Sequence, residues 1–274
     1  MESSHTLDYV EPIRPIAPYI GGKRNLAQRL VKVIESVPHA TYAEPFVGMG
    51  GVFFRRSLRP KGEVINDLSG DVTTLFRVLQ RHYGFFMQML RFELTTRKGF
   101  ARLMKTEPDT LTDLERAARF LYLQRTGFGG KVHGRSFGVQ LAAPARFSVT
   151  RIESLLEEAH ERLSDVVIEC LPWEQFIERY DRPATLFYLD PPYWGCESDY
   201  GKGMFGREEF ERMADVLAGI KGRFILSLND RPEVRKVFRR FNQERVETTY
   251  TVGGAAKAQR VGELVISNIR RSRR

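Results

Sequence analysis

Apolar residues recur along this chain with two alternating periods, and the switches between them outline its elements. Over 25–36, "NLAQRLVKVIES", Leu26, Leu30, Val33 and Ile34 fall at helical spacing. "TYAEPFVGMGGVFFRR" (41–56) predicts a short strand, a glycine-rich turn and an apolar helix, and "EVINDLSGD" (63–71) a second strand ending at Asn66 and Asp67. Strand, helix and strand in that order point to a mainly parallel sheet. From Asp71 to about Asp165 the pattern turns helical, in "VTTLFRVLQRHYGFFMQML" and "LTDLERAARFLYLQR". Between Gly127 and Gly138, "GFGGKVHGRSFG" holds five glycines, two bases and a histidine, which suits an exposed hairpin or loop.

The strand–helix alternation then returns in "DVVIEC", "LFYLDPPY", the helix "GREEFERMADVLAGI", the strand "RFILSLN", the helix "RPEVRKVFRRF" and a late strand, "GELVISNI". The expected architecture is an α/β domain from 1–70 and 166–274, interrupted by a mostly helical insertion over 71–165 that carries the basic loop. The closing "RRSRR" reads as a frayed tail. No internal repeat or low-complexity tract is present.

Composition narrows the class. The 274 residues are 42% hydrophobic and 28% charged, the balance of a globular chain. No apolar run reaches the roughly 18 residues of a membrane span. The first 17 residues are polar and proline-punctuated, unlike a secretory signal. Cys170 and Cys196 have neither disulfide nor metal spacing, and no His or Cys cluster suggests a metal, so a reducing cytoplasm is expected. The net charge of +9 favours an anionic partner, nucleic acid first, although a basic surface can equally serve solubility.

Three motifs carry chemistry. Glycines after a parallel strand, as in "EPFVGMGG", let backbone N–H groups approach a ligand, though the spacing is not the dinucleotide fingerprint and such turns are common. Asp67, ending the next strand, is placed to bind ribose hydroxyls, or simply to cap a helix. In "LFYLDPPYWGC" (186–196) a strand runs into Asp190 and stops at two prolines. Pro191 and Pro192 fix their φ angles and donate no hydrogen bonds, so local carbonyls stay available as acceptors. Asp190 and the Pro191 carbonyl could accept from one exocyclic amino group while Tyr193 offers a ring for stacking. An amine conjugated to a ring is a poor nucleophile, and two acceptors would favour its pyramidal form.

Taken in order, "APYIGGKR", "YAEPFVGMGG", "VINDLSGD" and "LDPPYWG" resemble the Dam-type family of DNA adenine methyltransferases, from about Pro18 through "GELVISN". The resemblance implies a Rossmann-like methyltransferase domain with an inserted DNA-recognition subdomain. It implies transfer of a methyl group from S-adenosylmethionine to N6 of a flipped adenine in duplex DNA, with S-adenosylhomocysteine as product and no metal. Tyr19 and Lys23 would contact the cofactor, as would Glu44, Phe46, Gly48, Gly50, Asp67 and Asp190. Asp190, Pro191, Pro192 and Tyr193 would form the catalytic pocket. Tyr19 stands where the family often has tryptophan.

Arg125, Lys131, His133 and Arg135, in or beside the glycine-rich loop, would meet DNA. Gly129 replaces an asparagine common in members that read GATC, and the hairpin is shorter, so GATC does not carry over. A cognate restriction endonuclease is among the partners the resemblance allows, and a monomer is the expected state. Cytosine N4 or RNA adenine as acceptor, and a DNA-binding protein without catalysis, are the competing readings. A cytosine enzyme more often begins the tetrapeptide with serine. The long insertion argues against RNA, and retention of Lys23, Asp67, Asp190 and Tyr193 against lost catalysis.

Overall fold

A computed structural model describes residues 6–23, 25–91, 93, 95–138, 145–196, 205–251 and 258–269. The "RRSRR" tail lies outside them. β1 (Asp8–Tyr9) precedes α1 (Ala27–Glu35), β2 (Thr41–Glu44), β3 (Leu58–Arg59) and β4 (Gly62–Asn66). Four helices follow: α2 (Gly70–Leu90), α3 (Arg97–Lys105), α4 (Asp113–Thr126) and α5 (Val149–Leu163). The alternation resumes with β5 (Val167–Glu169), α6 (Trp173–Tyr180), β6 (Thr185–Leu189), α7 (Glu208–Gly219), β7 (Arg223–Asn229) and α8 (Pro232–Val237), and ends on β8 (Asn242–Thr251) and β9 (Ala258–Ser267).

The main sheet runs β5-β4-β2-β6-β7-β9-β8. Its first five strands are parallel, and β9 and β8 close one edge antiparallel. Successive side chains of a strand face opposite ways, and both faces are apolar here. Tyr42, Leu186, Tyr188 and Ile225 pack with α1, α2, α4 and α5, whereas Ala43, Phe187, Leu189, Phe224, Leu226 and Leu228 pack with α6, α7 and α8. Strands buried on both sides need continuous apolar runs, which is what "LFYL" and "FILSL" supply. The helices between β4 and β5 share one core with the sheet, joining Phe76, Leu79, Tyr122 and Leu156 to Ile65.

The apolar helix expected after the glycine turn is a single 3-10 turn, Phe53–Arg55. Val52, Phe53 and Phe54 are all buried, so this segment has no solvent face for a longer helix to present. The chain instead enters β3, which pairs with β1. Behind that turn, Glu63 is buried between Arg56 and Arg162, accepting from both. The charged strand β8 has no apolar signature; pairing with β9 over ten residues defines it. No helix among the described residues is long and apolar enough to cross a membrane.

Candidate active site

Parallel strands aim their carboxyl ends at one edge of the sheet, and β2, β4 and β6 open there onto a cavity of about 980 Å³. Tyr19, Lys23, Glu44, Phe46, Gly48, Asp67, Arg125, Asp190 and Pro192 line it. The cavity thus joins motifs that lie far apart in sequence.

The glycine turn follows β2. Gly48 and Gly50 have φ of +50° and +69°, a region open to glycine at little cost. A Cβ on Gly48 would lie 2.9 Å from Cε1 of Tyr19, so this aromatic packs directly on the turn. Asp67 Oδ2 accepts from the Gly48 N–H at 2.9 Å and Oδ1 from the Ser69 N–H at 2.9 Å. Burial pushes the Asp67 carboxyl up to about 6 against these two donors. Asn66 ties β4 to the chain after β5, donating to the Pro45 and Leu171 carbonyls and accepting from the Leu171 N–H. Leu171, Trp173, Phe205 and Phe46 supply an apolar wall.

At the end of β6 the Lys23 ammonium donates to Asp190 Oδ1 at 2.7 Å and to the Tyr193 hydroxyl, and lies 3.9 Å from Glu263 Oε2. Lys23 and Glu263 are buried, while the Asp190 side chain keeps 19% of its surface exposed. Burial pushes the Asp190 carboxyl up to about 6; Lys23 and the Ser227 hydroxyl hold it down, and Glu263 adds to the rise. Glu44 accepts from the Tyr42 hydroxyl at 2.7 Å, and burial drives its carboxyl to about 8. Pro191 and Pro192 are buried and Tyr193 half-buried.

The glycine-rich loop forms a hairpin closed by a Gly127–Phe137 bridge. Its four basic candidates divide. Lys131 and His133 are exposed. Arg125 donates to the Ile16 carbonyl at 2.6 Å, and Arg135 donates to the Lys131 carbonyl and to Gln124 at 3.0 Å each. Burial lowers the pKa of both arginines. Gln124 binds the Pro18 and Gly130 carbonyls, docking the hairpin on the Tyr19 segment.

Sequence reasoning passed over Ser227, Asn229 and Glu263. Their signal was a polar residue within an otherwise apolar central strand, a placement that costs free energy unless the group is bonded. Among the described residues no group of three His, Cys, Asp or Glu side chains is arranged to hold a metal.

A glycine cradle, a half-buried acid after the next strand and an Asp-Pro-Pro-Tyr turn on one cavity of a parallel sheet define the class of nucleoside-cofactor methyltransferases. The profile of the D12 class N6 adenine-specific DNA methyltransferases matches residues 19–252, and the chain belongs to that family. It is an adenine-specific DNA methyltransferase that uses an S-adenosylmethionine-type cofactor.

Among similar proteins are two type II methyltransferases. M.CviBI of Paramecium bursaria Chlorella virus NC1A is 25% identical over 244 residues, covering 87% of this chain and 91% of that protein. M1.LlaDCHI of Lactococcus lactis subsp. cremoris is 25% identical over 276 residues, covering 93% and 95%. A DNA adenine methylase of Haemophilus influenzae is 24% identical, covering 92% of each chain.

Proposed function

We propose that S-adenosylmethionine itself occupies the cavity and that Asp190, Pro191, Pro192 and Tyr193 receive a flipped adenine beside it. The observation that carries this reading is the single cavity shared by the glycine turn, Asp67 and Asp190. The residues suit such a guest. Gly48 leaves backbone rather than side chain at the cradle, and Asp67 is a half-buried acceptor for ribose hydroxyls. The apolar wall suits a purine. Glu44, held near 8 by burial, would be ionised by an adjacent cation. When bound, the cofactor supplies an electrophilic methyl group.

This chain's residues then do the rest. An adenine stacked in the duplex cannot reach a buried site, so it must leave the helix, at a few kcal/mol. Tyr193 stacks on it. The Asp190 carboxylate and the Pro191 carbonyl accept its N6 hydrogens and free the nitrogen lone pair. Lys23 keeps Asp190 ionised and oriented. Positioning and fixed charge are the sources of rate acceleration, with no covalent link to the protein.

Residues 71–165 act as the recognition insertion. Lys131 and His133 reach DNA from the hairpin, Arg125 meets the target strand at the cavity wall, and Arg135 holds the hairpin's shape.

The test is transfer of tritium from labelled S-adenosylmethionine to unmethylated bacterial DNA, followed by nucleoside analysis and sequencing of the product. Label in N6-methyladenine is expected. Asp190→Ala should abolish transfer while leaving the circular dichroism spectrum unchanged. Methylation by that variant at the wild-type rate would remove Asp190 from the mechanism.

A further inference from the structure

Asp190 does not stand alone at the end of β6; the neighbouring strand β7 holds both it and the turn that follows. β6 and β7 pair in parallel with Leu189 opposite Leu226, which sets Ser227 beside Asp190. β7 alternates sharply. Phe224, Leu226 and Leu228 face the α6, α7 and α8 layer, and the intervening Ser227 and Asn229 face the other way, both buried. The Ser227 hydroxyl donates to Asp190 Oδ1 at 3.1 Å. The Tyr188 hydroxyl lies 2.9 Å from the same Ser227 oxygen. Serine has one hydrogen and a carboxylate can only accept, so Tyr188 donates to Ser227 and Ser227 to Asp190. Two residues on, Asn229 accepts from the Trp194 N–H at 3.0 Å and donates to the Trp194 carbonyl at 2.9 Å.

We infer that Ser227 and Asn229 are positioning residues that anchor the Asp-Pro-Pro-Tyr turn at both ends and present Oδ2 of Asp190 to the amino group of the target base. The inference rests on the adenine-methylating role proposed for Asp190. The two donors to this carboxylate, Lys23 and Ser227, both meet Oδ1. Oδ2 makes no hydrogen bond among the described residues. A carboxylate held by one oxygen cannot turn about its Cβ–Cγ bond without breaking both contacts, so the direction of Oδ2 is set by the scaffold. Asn229 fixes the far end by clasping the backbone of Trp194. The Cys196 N–H closes the turn on the Tyr193 carbonyl at 2.9 Å. Glu263, opposite Asn229 in the β7–β9 register, completes the surround of Lys23. Without these partners a buried serine and asparagine in a central strand would only destabilise it.

Methyl transfer to duplex DNA by Ser227→Ala, Ser227→Thr and Asn229→Ala tests this. Ser227→Ala should lower kcat about 10- to 100-fold, with the KM for cofactor and DNA within about twofold of wild type. Its acid limb in kcat should move to higher pH, because a donor that holds the Asp190 carboxyl down is gone. The other groups facing that carboxyl, Lys23, Glu263, Glu44, Tyr188 and Tyr193, are unchanged, so the shift reports Ser227. Ser227→Thr keeps the hydroxyl and should restore both rate and limb. Asn229→Ala, which touches only backbone, should lower kcat without moving the limb.

A Ser227→Ala enzyme with a lower melting temperature but wild-type kcat and limb would overturn the inference, as would failure of threonine to restore either in a folded protein. Wild-type kcat in Asn229→Ala would overturn its part. Failure of the wild-type enzyme to label DNA would instead refute the functional reading, which separates the two.

Discussion

Replacing Lys23 with methionine probes how the site keeps its carboxylate ionised. The ammonium lies 2.7 Å from Asp190 Oδ1 and 3.9 Å from Glu263 Oε2. At an effective dielectric of about 20 those separations correspond to roughly 6 and 4 kcal/mol, ceilings that relaxation and water reduce. An opposite charge this close typically lowers a carboxyl pKa by about 1–3 units. Lys23 acts downward on an Asp190 carboxyl that already sits at about 6, so its removal raises that value further, to about 7–9.

Near pH 7 the ionised fraction would fall from about nine-tenths to between about one-half and one-hundredth. The expected result is a two- to hundredfold drop in kcat near pH 7, shrinking as pH rises, with the acid limb displaced upward by about 1–3 units. Single-turnover methylation of a duplex oligonucleotide across pH, with cofactor binding followed by calorimetry at each pH, separates this effect from weaker cofactor binding. A Lys23→Met enzyme whose rate loss is the same at every pH would refute the electrostatic reasoning and leave Lys23 a purely geometric role.

Two further outcomes follow from the same structure. Glu63→Gln leaves Arg56 and Arg162 buried without their carboxylate, which should cost about 3–5 kcal/mol and lower the melting temperature by roughly 6–20 °C, read by calorimetry. A change of under about 2 °C would show the two arginines satisfied otherwise. Lys131→Ala should weaken DNA binding about equally on all sequences and reduce the slope of log affinity against log salt by about 1, read by fluorescence anisotropy. A sequence-selective loss would instead make Lys131 a reader of bases.

Much of the protein was legible in the linear pattern. β7 spans the very residues of "RFILSLN", and β2, β4 and β6 begin and end within a residue or two of their apolar runs. Strands buried on both faces demand unbroken apolar sequence, and the turns after them demand glycine, proline or an acid, so local composition identifies both. Tyr19, Lys23, Glu44, Phe46, Gly48, Asp67, Asp190 and Pro192 are residues that the family resemblance implies, and one cavity gathers them.

What the sequence could not decide depends on pairing between distant segments. Arg125, Lys131, His133 and Arg135 look alike in the sequence; only the fold ties Arg125 to the Ile16 carbonyl at the cavity wall and Arg135 to the Lys131 carbonyl, while Lys131 and His133 stay exposed. Ser227 and Asn229 are two polar letters in an apolar strand; only the β6–β7 register sets them beside Asp190 and Trp194. Glu263 lies some 240 residues from Lys23 in sequence, and the antiparallel pairing of β9 with β7 brings it within reach. Periodicity determines which face of an element is buried. Which partners meet across that face is set by strand order and register, which arise only when the whole core packs.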